Sequence, residues 1–306
     1  MKEKEFIKII KTTLKSDYIG DDCAYLKDLG IVMTQDSLVE GVHFSRHFAT
    51  PYQLGFKSVA VNISDICASG AEPKYLTIAL SLPHITDTDF IKEFYIGAKK
   101  ASNGAKIVGG DITGADKIFI SVTAIGSTKN RKISARSHAR VGQKIVIAGE
   151  HGSSALGLNL LKGMYYPRLS EDERFYFTNS HLMPKVQIGF SEQIAKTQKT
   201  DYAMTDTSDG LADALFNIAE ASKVMLDVDF DKIPYAESLK KITDYEDLIL
   251  FGGEDYGLIA TVDDPQDLTV IGEVKEGNGV KINYPGFSQF FEKNDIERNL
   301  YNHFKE

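Results

Sequence analysis

A chain of 306 residues, 42% hydrophobic and 25% charged, is ordinary for a globular fold and long enough for two domains. Its net charge of −8 speaks against a general nucleic-acid binder, while leaving room for nucleotides where cations reverse the local field. Two cysteines, Cys23 and Cys67, lie outside any CxxC pair, which speaks against a disulfide framework or a zinc site and suits two small buried apolar residues.

Residues 1–17 read as a short amphipathic helix, with Phe6, Ile9, Ile10 and Leu14 on one face. They lack the continuous apolar stretch of a leader, and no segment approaches the roughly 20 apolar residues that span a bilayer. The expected location is cytoplasmic, with no membrane partner and no nucleic acid. Residues 31–36 (IVMTQD) form a strand ending on Asp36, and 54–69 a helix through Leu54, Val59, Ile63 and Ile66 that carries Asp65. A buried strand follows over 75–83, stopped by Pro83, and a second helix opens at 86–89 and runs to about Asn103. Strands over 105–111 and 117–127 flank the turn-rich link GGDITGAD.

The basic stretch 129–140 carries Arg131, Arg136 and Arg140; apart from Arg136 its charges read as a solvated hairpin. A domain boundary is expected near 140, just before the next strand, dividing the chain into 1–140 and 141–306 with mixed β and α in both halves. Beyond it come a strand at 144–150, a glycine-marked turn into a helix, a helix over 185–197, the strand YAMTD (202–206) and a helix over 209–223. VMLDVDF, DLILFGG, YGLIATV and LTVIGEV supply later strands.

The acidic residues stand at punctuated positions. Asp21 and Asp22 follow Gly20, Asp36 closes a strand, Asp111 follows two glycines, and Asp206 and Asp209 flank Ser208. Each admits a local reading as a turn residue or, for Asp206 and Ser208, a helix N-cap. Asp65 is harder to place so, because an ionised carboxylate on an apolar helix costs several kcal/mol unless paired or coordinated. Together they suggest one site of hard oxygen donors, suited to Mg²⁺ and thus to a phosphate-bearing ligand. Neither a GxxxxGK[ST] loop nor the protein-kinase motif set is present, so any ATP site follows another plan.

IGDDCAYL (19–26), TQDSLVEGVHF (34–44), NISDICASGAEPKYL (62–76), VGGDIT (108–113), DTSDGLADAL (206–215) and FGGEDYGL (251–258) resemble, in order and spacing, the thiamine-monophosphate kinases. These belong to a superfamily with aminoimidazole ribonucleotide synthetase. The resemblance implies that superfamily's two-domain fold, with an N-terminal ATP- and Mg-binding α/β domain (1–140) contributing a homodimer interface and a C-terminal α+β domain (141–306) completing the substrate cleft. It implies direct in-line transfer from ATP to thiamine monophosphate, assisted by several Mg²⁺ ions. Carried over by position, the metal set is Asp22, Thr34, Gln35, Asp36, Asp65, Asp111, Asp206 and Asp209, of which Asp36, Asp65 and Asp209 are assigned to catalysis. Gly110, Asp111, Arg136 and Ser208 are implied as nucleotide contacts, and His43, Glu254 and Phe287 as substrate contacts.

The chain departs from that pattern at Gln35, where a threonine is usual, at Gly257, where GGEDYEL has a glutamate, and at Phe287 after Gly286, where the family tends to have Trp or Tyr. Loss of the glutamate is expected to weaken substrate affinity if it holds substrate. Two relatives are disfavoured: selenophosphate synthetase by the lack of a reactive cysteine in an N-terminal glycine-rich segment, and the hydrogenase-maturation protein by the ending NHFKE in place of a cysteine. A binder without catalysis is the reading from another class, and the retained carboxylates argue against it.

Overall fold

The computed structural model describes residues 2–299. After an N-terminal helix α1 (Lys2–Leu14), the strands β1 (Ala24–Leu26) and β2 (Ile31–Val39) lead into the long helix α2 (Pro51–Ala68). Strand β3 (Glu72–Leu82), helix α3 (Thr88–Ala101), β4 (Lys106–Gly114) and β5 (Phe119–Ser127) complete a five-stranded sheet in the order β1-β2-β5-β3-β4. Pairing is antiparallel except between β3 and β4, which run parallel around the α3 crossover.

The second sheet begins with β6 (Lys144–Ala148). Helices α4 (Ser153–Leu161), α5 (Glu171–Leu182) and α6 (Ile188–Thr197) precede β7 (Ala203–Asp206) and α7 (Leu211–Ser222). Strand β8 (Met225–Asp229), helix α8 (Tyr245–Phe251), β9 (Leu258–Val262), β10 (Thr269–Lys275), β11 (Gly279–Tyr284), β12 (Phe287–Phe291) and α9 (Lys293–Asn299) follow. Seven strands order as β12-β11-β8-β10-β6-β9-β7, antiparallel apart from β8 with β11. The mixed α/β and α+β architecture expected from the sequence is present.

The period-2 alternation of strands explains how one sheet serves two cores. Val146, Met204, Leu258, Ala260 and Val262 face α2 and join a core with Val32, Ile78, Val122, Ile63 and Ile66. Their neighbours Ile145, Ile147, Ala203 and Ile259 face the other way, into a core with Leu156, Phe177, Leu215 and Ile249. Helix α2 is therefore the spine, buried between the two sheets, and side chains on it look toward both.

Helix α2 begins with a complete capping box: Thr50 accepts from Gln53 N–H and the Gln53 side chain accepts from Thr50 N–H, with Pro51 at the first helical position. It crosses α3 at two glycines. A Cβ on Gly55 would sit 1.9 Å from the Phe94 carbonyl oxygen, and one on Gly97 would sit 1.9 Å from that of Tyr52. Alanine ordinarily favours a helix over glycine by about 1 kcal/mol, but a backbone clash this close outweighs it. Gly97→Ala is expected to cost about 2–3 kcal/mol, read as a lower urea midpoint at unchanged m-value; an unchanged or higher midpoint would show that the helices slide apart without cost.

Several expected elements are corrected. DLILFGG is not a strand but helix α8 and the loop after it; a short apolar run has no period that separates a buried helix from a buried strand. GGDIT is the interior of β4, and the turn comes later, at 115–118. Asp36 lies within β2, opposite Val122, instead of ending it. Helix α7 starts after Gly210, with no side-chain cap, so neither Asp206 nor Ser208 caps it. Residues 129–140 form no hairpin: Arg131 is buried with a guanidinium nitrogen 3.4 Å from the Gly70 carbonyl, and Arg140 donates to the Asp201 carbonyl and to Asp263. Helix α5 and the hairpin β11–β12 were not foreseen, although Ser170 and Glu173 make a capping box ahead of α5.

Candidate active site

Three carboxylates from distant segments meet where α2 passes between the sheets. Asp22 lies in the turn before β1, Asp65 near the C-terminal end of α2 and Asp206 at the end of β7, with oxygens within 4.8 Å of one another. Asp36 joins them from β2, on the strand face that also carries Thr34; the Thr34 hydroxyl donates to Asp65 Oδ2 at 2.7 Å. Ser64 and Ser208 hydroxyls donate to the two oxygens of Asp206, at 2.6 and 2.9 Å, and Asn62 accepts the Asp36 N–H.

Burial and mutual repulsion raise these acids. Asp206 is pushed up to about 7, first by burial and then by Asp22. Asp65 stands well above the ordinary range through burial and the charges of Asp36, Asp206 and Asp22; Asp36 is raised by burial and by Asp22. Arg136 is the nearby counter-charge. Its Nη2 donates to Asp22 Oδ1 at 2.6 Å and its Nε to the Thr205 hydroxyl at 3.2 Å, and Thr205 in turn donates to that same Asp22 oxygen. The other oxygen, Asp22 Oδ2, is buried with no hydrogen-bond partner among the described residues. Asp21 is anchored to the segment after β5: its carboxylate accepts from the Arg136 N–H, and burial with Asp22 raises it to about 6.

A cleft of about 780 Å³ opens beside the cluster, lined by Asp36, Asp65, Ser208, Asp209, His43 and Glu254 among others. His43 Nδ1 accepts the Val39 N–H, so the neutral ring carries its proton on Nε2. Glu254 is paired with Lys57 at 2.9 Å and its φ of +66° lies in the left-handed region.

Other expected site residues stand apart. Asp111 pairs with Ala79 on β3, which pairs with Ser121 on β5, and so lies on the outer face of the first sheet. Asp36 occupies the opposite face. Gly110 lies on edge strand β4, where a Cβ would meet the Ile78 carbonyl at 1.7 Å. The Gln35 side chain turns across the sheet to Ser121 and Thr123. Phe287 is exposed on β12, stacked on Tyr284 with centroids 4.7 Å apart, and does not line the cleft. Gly257 is buried, and a Cβ there would stand 2.7 Å from His151 Nε2 and 2.8 Å from the Ala148 carbonyl; His151 fills the room a side chain would need. Sequence reasoning missed Lys57, Ser64, Thr205 and His181. The available signal was a lysine inside the apolar period of α2.

Residues 20–128 match the family described as AIR synthase related protein, N-terminal domain, and residues 140–285 its C-terminal domain. The thiamine-monophosphate kinase of Aquifex aeolicus (strain VF5) is 36% identical over 293 residues, covering 90% of this chain and 92% of that one. Its counterpart from Bacillus subtilis (strain 168) is 33% identical, covering 94% and 93%. A solved structure described as AaThiL complexed with AMPPCP and TMP superposes with a TM-score of 0.81 at 34% identity, covering 94% of this chain and 96% of that one. The meeting of Asp22, Asp36, Asp65 and Asp206 beside one cleft, together with similarity over at least 90% of the chain, establishes that the chain belongs to the AIR synthase related family, within its thiamine-monophosphate kinases.

Proposed function

We propose that this protein transfers the γ-phosphoryl group of ATP to thiamine monophosphate, giving ADP and thiamine diphosphate. The observation that carries the reading is the meeting of Asp22, Asp65 and Asp206 beside an open cleft in a chain so similar to thiamine-monophosphate kinases. The acceptor is itself a phosphate anion, so no strong general base is needed; the barrier lies in bringing two polyanions together in line.

The donor set fits Mg²⁺. It consists of hard oxygens, Arg136 offsets only part of their repulsion, and Asp22 Oδ2 is buried with no hydrogen-bond partner among the described residues. Asp22, Thr34, Asp36, Asp65, Asp206 and Asp209 would hold the ions, which when bound neutralise charge on both phosphate chains. Ser64, Ser208 and Thr34 fix the carboxylate rotamers, and Arg136 holds Asp22. His43 and Glu254, on the cleft wall, are the proposed contacts to thiamine monophosphate. Gly110, Asp111, Gln35 and Phe287 are not in this set, because their side chains or strand positions lie outside the cleft.

We place the division of labour at residue 140, with the nucleotide carboxylates mainly before it and the substrate wall mainly after it. Two further proposals are a cytoplasmic location, where ATP and Mg²⁺ are abundant, and a homodimer. The outer face of the first sheet supports the dimer, since its paired row Met33, Ile125 and Tyr75 exposes apolar surface there. Incubation with ATP, MgCl₂ and thiamine monophosphate should yield ADP and thiamine diphosphate in equal amounts. Binding of both ligands without product at any Mg²⁺ concentration would establish a binder instead.

A further inference from the structure

Below the cleft wall, a charged pair crosses from α2 to the loop that carries Glu254. Lys57 is almost wholly buried, with its Nζ 2.9 Å from Glu254 Oε1 and 3.4 Å from His181 Nε2. An ammonium only donates, so His181 Nε2 accepts and the ring proton sits on Nδ1. That nitrogen lies 3.0 Å from Ser154 Oγ and 3.5 Å from Glu254 Oε2. Burial, and next Lys57, hold His181 down to about 3, in keeping with a neutral ring.

The following residue is clamped just as firmly: Asp255 accepts from Gly152 N–H at 2.7 Å and Ser154 N–H at 2.8 Å, at the start of α4. Glu254 N–H donates to the Ser208 carbonyl at 2.7 Å. Between these anchors Glu254 and Tyr256 take φ values of +66° and +51°, a backbone that non-glycine residues keep only where the surroundings over-determine it. Glu254 and His181 line the cleft, whereas Lys57 stands behind them.

We propose that Lys57 is a positioning residue: it fixes the Glu254 carboxylate against the cleft wall so that Glu254 meets the ring system of thiamine monophosphate. The role rests on the proposed reading of Glu254 as a substrate contact. The pair presents an ordered acceptor with little net charge, so what it supplies is fit to the N–H donors of the substrate rather than long-range attraction. ATP, bound through the carboxylates on the other side, does not depend on it.

Lys57→Met is expected to raise the KM for thiamine monophosphate about tenfold or more while the KM for ATP stays within about threefold, the pattern of lost substrate binding. Lys57→Arg, which keeps a buried cation at the same carboxylate, should return the first value to within about threefold of the wild type. Glu254→Gln and the double variant K57M/E254Q should share one KM for thiamine monophosphate, because a residue that acts through Glu254 has nothing left to position. The double variant holds no unpaired buried charge, and melting temperatures of E254Q and the double variant check that both arms are folded, so this comparison stands even if K57M alone does not fold. A double variant about tenfold worse than E254Q, or equal rises in KM for both substrates, would overturn the proposal. A wild type that turns over while the variants fail this pattern sinks this inference alone. A wild type that neither binds nor phosphorylates thiamine monophosphate sinks the functional reading, and this inference with it.

Discussion

Asp65→Asn is expected to lower turnover by about three orders of magnitude while leaving the metal-free protein as stable as the wild type or more so. Asp65 is enclosed by α2 and β2 and faces Asp36, Asp206 and Asp22, whose charges, after burial itself, hold its carboxyl well above the ordinary range. In the unfolded chain the same acid is ionised above about pH 3.9. A folded value raised above the unfolded one means that the native state binds the proton more tightly. The cost of the carboxylate is therefore absent below the unfolded value, grows as pH rises, and is complete above the folded value. The substituted amide has the same shape, can still accept the Thr34 hydroxyl and never ionises. It removes that cost together with the cation ligand. The measurements are kcat with both substrates saturating and melting temperature in EDTA at pH 8. A structural Asp65 would behave in the opposite way, losing melting temperature and activity in proportion.

The scaffold around that acid was largely legible where period and punctuation agree. Helices α2 and α7 show their apolar spacing plainly, and β3, β6 and β9 are short apolar runs between turn residues. What failed was local assignment without period. The run Leu248 to Phe251 has only four apolar residues, so its helical fate was decided by packing of Ile249 and Leu250 into the second core. The strand expected over 105–111 is β4, but its continuation to Gly114 was read as a turn because of its glycines, yet Gly110 is needed where the backbone of Ile78 approaches. The site shows the same division. Aspartates at distant positions were legible as one set, because they recur at punctuated positions and Asp65 resists a local reading. That Asp65 meets Asp22 and Asp206 while Asp111 lies across the sheet depends on strand register, which a single sequence does not display. Lys57 and His181 were hidden for a related reason: their partner, Glu254, comes from a loop some 200 residues beyond Lys57, about the span over which the carboxylates are gathered.

Magnesium alone, without nucleotide, is expected to raise the melting temperature at pH 8, and the rise should fade as pH falls through about 7. A ligand present at 100 times its dissociation constant stabilises by about 2.7 kcal/mol, which in a chain of this size corresponds to roughly 4 °C. Binding requires ionised carboxylates, and Asp206 takes up its proton near pH 7 with Asp65 and Asp36 also raised. Each proton that must be displaced costs about tenfold in apparent affinity per pH unit below its pKa, so two displaced protons remove most of the effect by about pH 5.5. Absolute stability follows a different course over the same range. Burial lowers His151 to about 4 and His181 to about 3, so both are neutral in the fold but charge near 6.5 when unfolded. Their depressed folded values mean that the histidine contribution to stability is lost as pH falls below 6.5, with or without metal, while in EDTA the raised carboxyls contribute in the opposite direction. The difference between Mg²⁺ and EDTA at each pH isolates the cluster, because the histidine contribution is common to both. Matched ionic strength in NaCl separates coordination from screening. An equal rise in NaCl, or a Mg²⁺ effect unchanged between pH 5.5 and 8, would dissociate these carboxylates from metal binding. Asp65→Asn should shrink the rise at pH 8, tying the ion to the same acid that turnover requires.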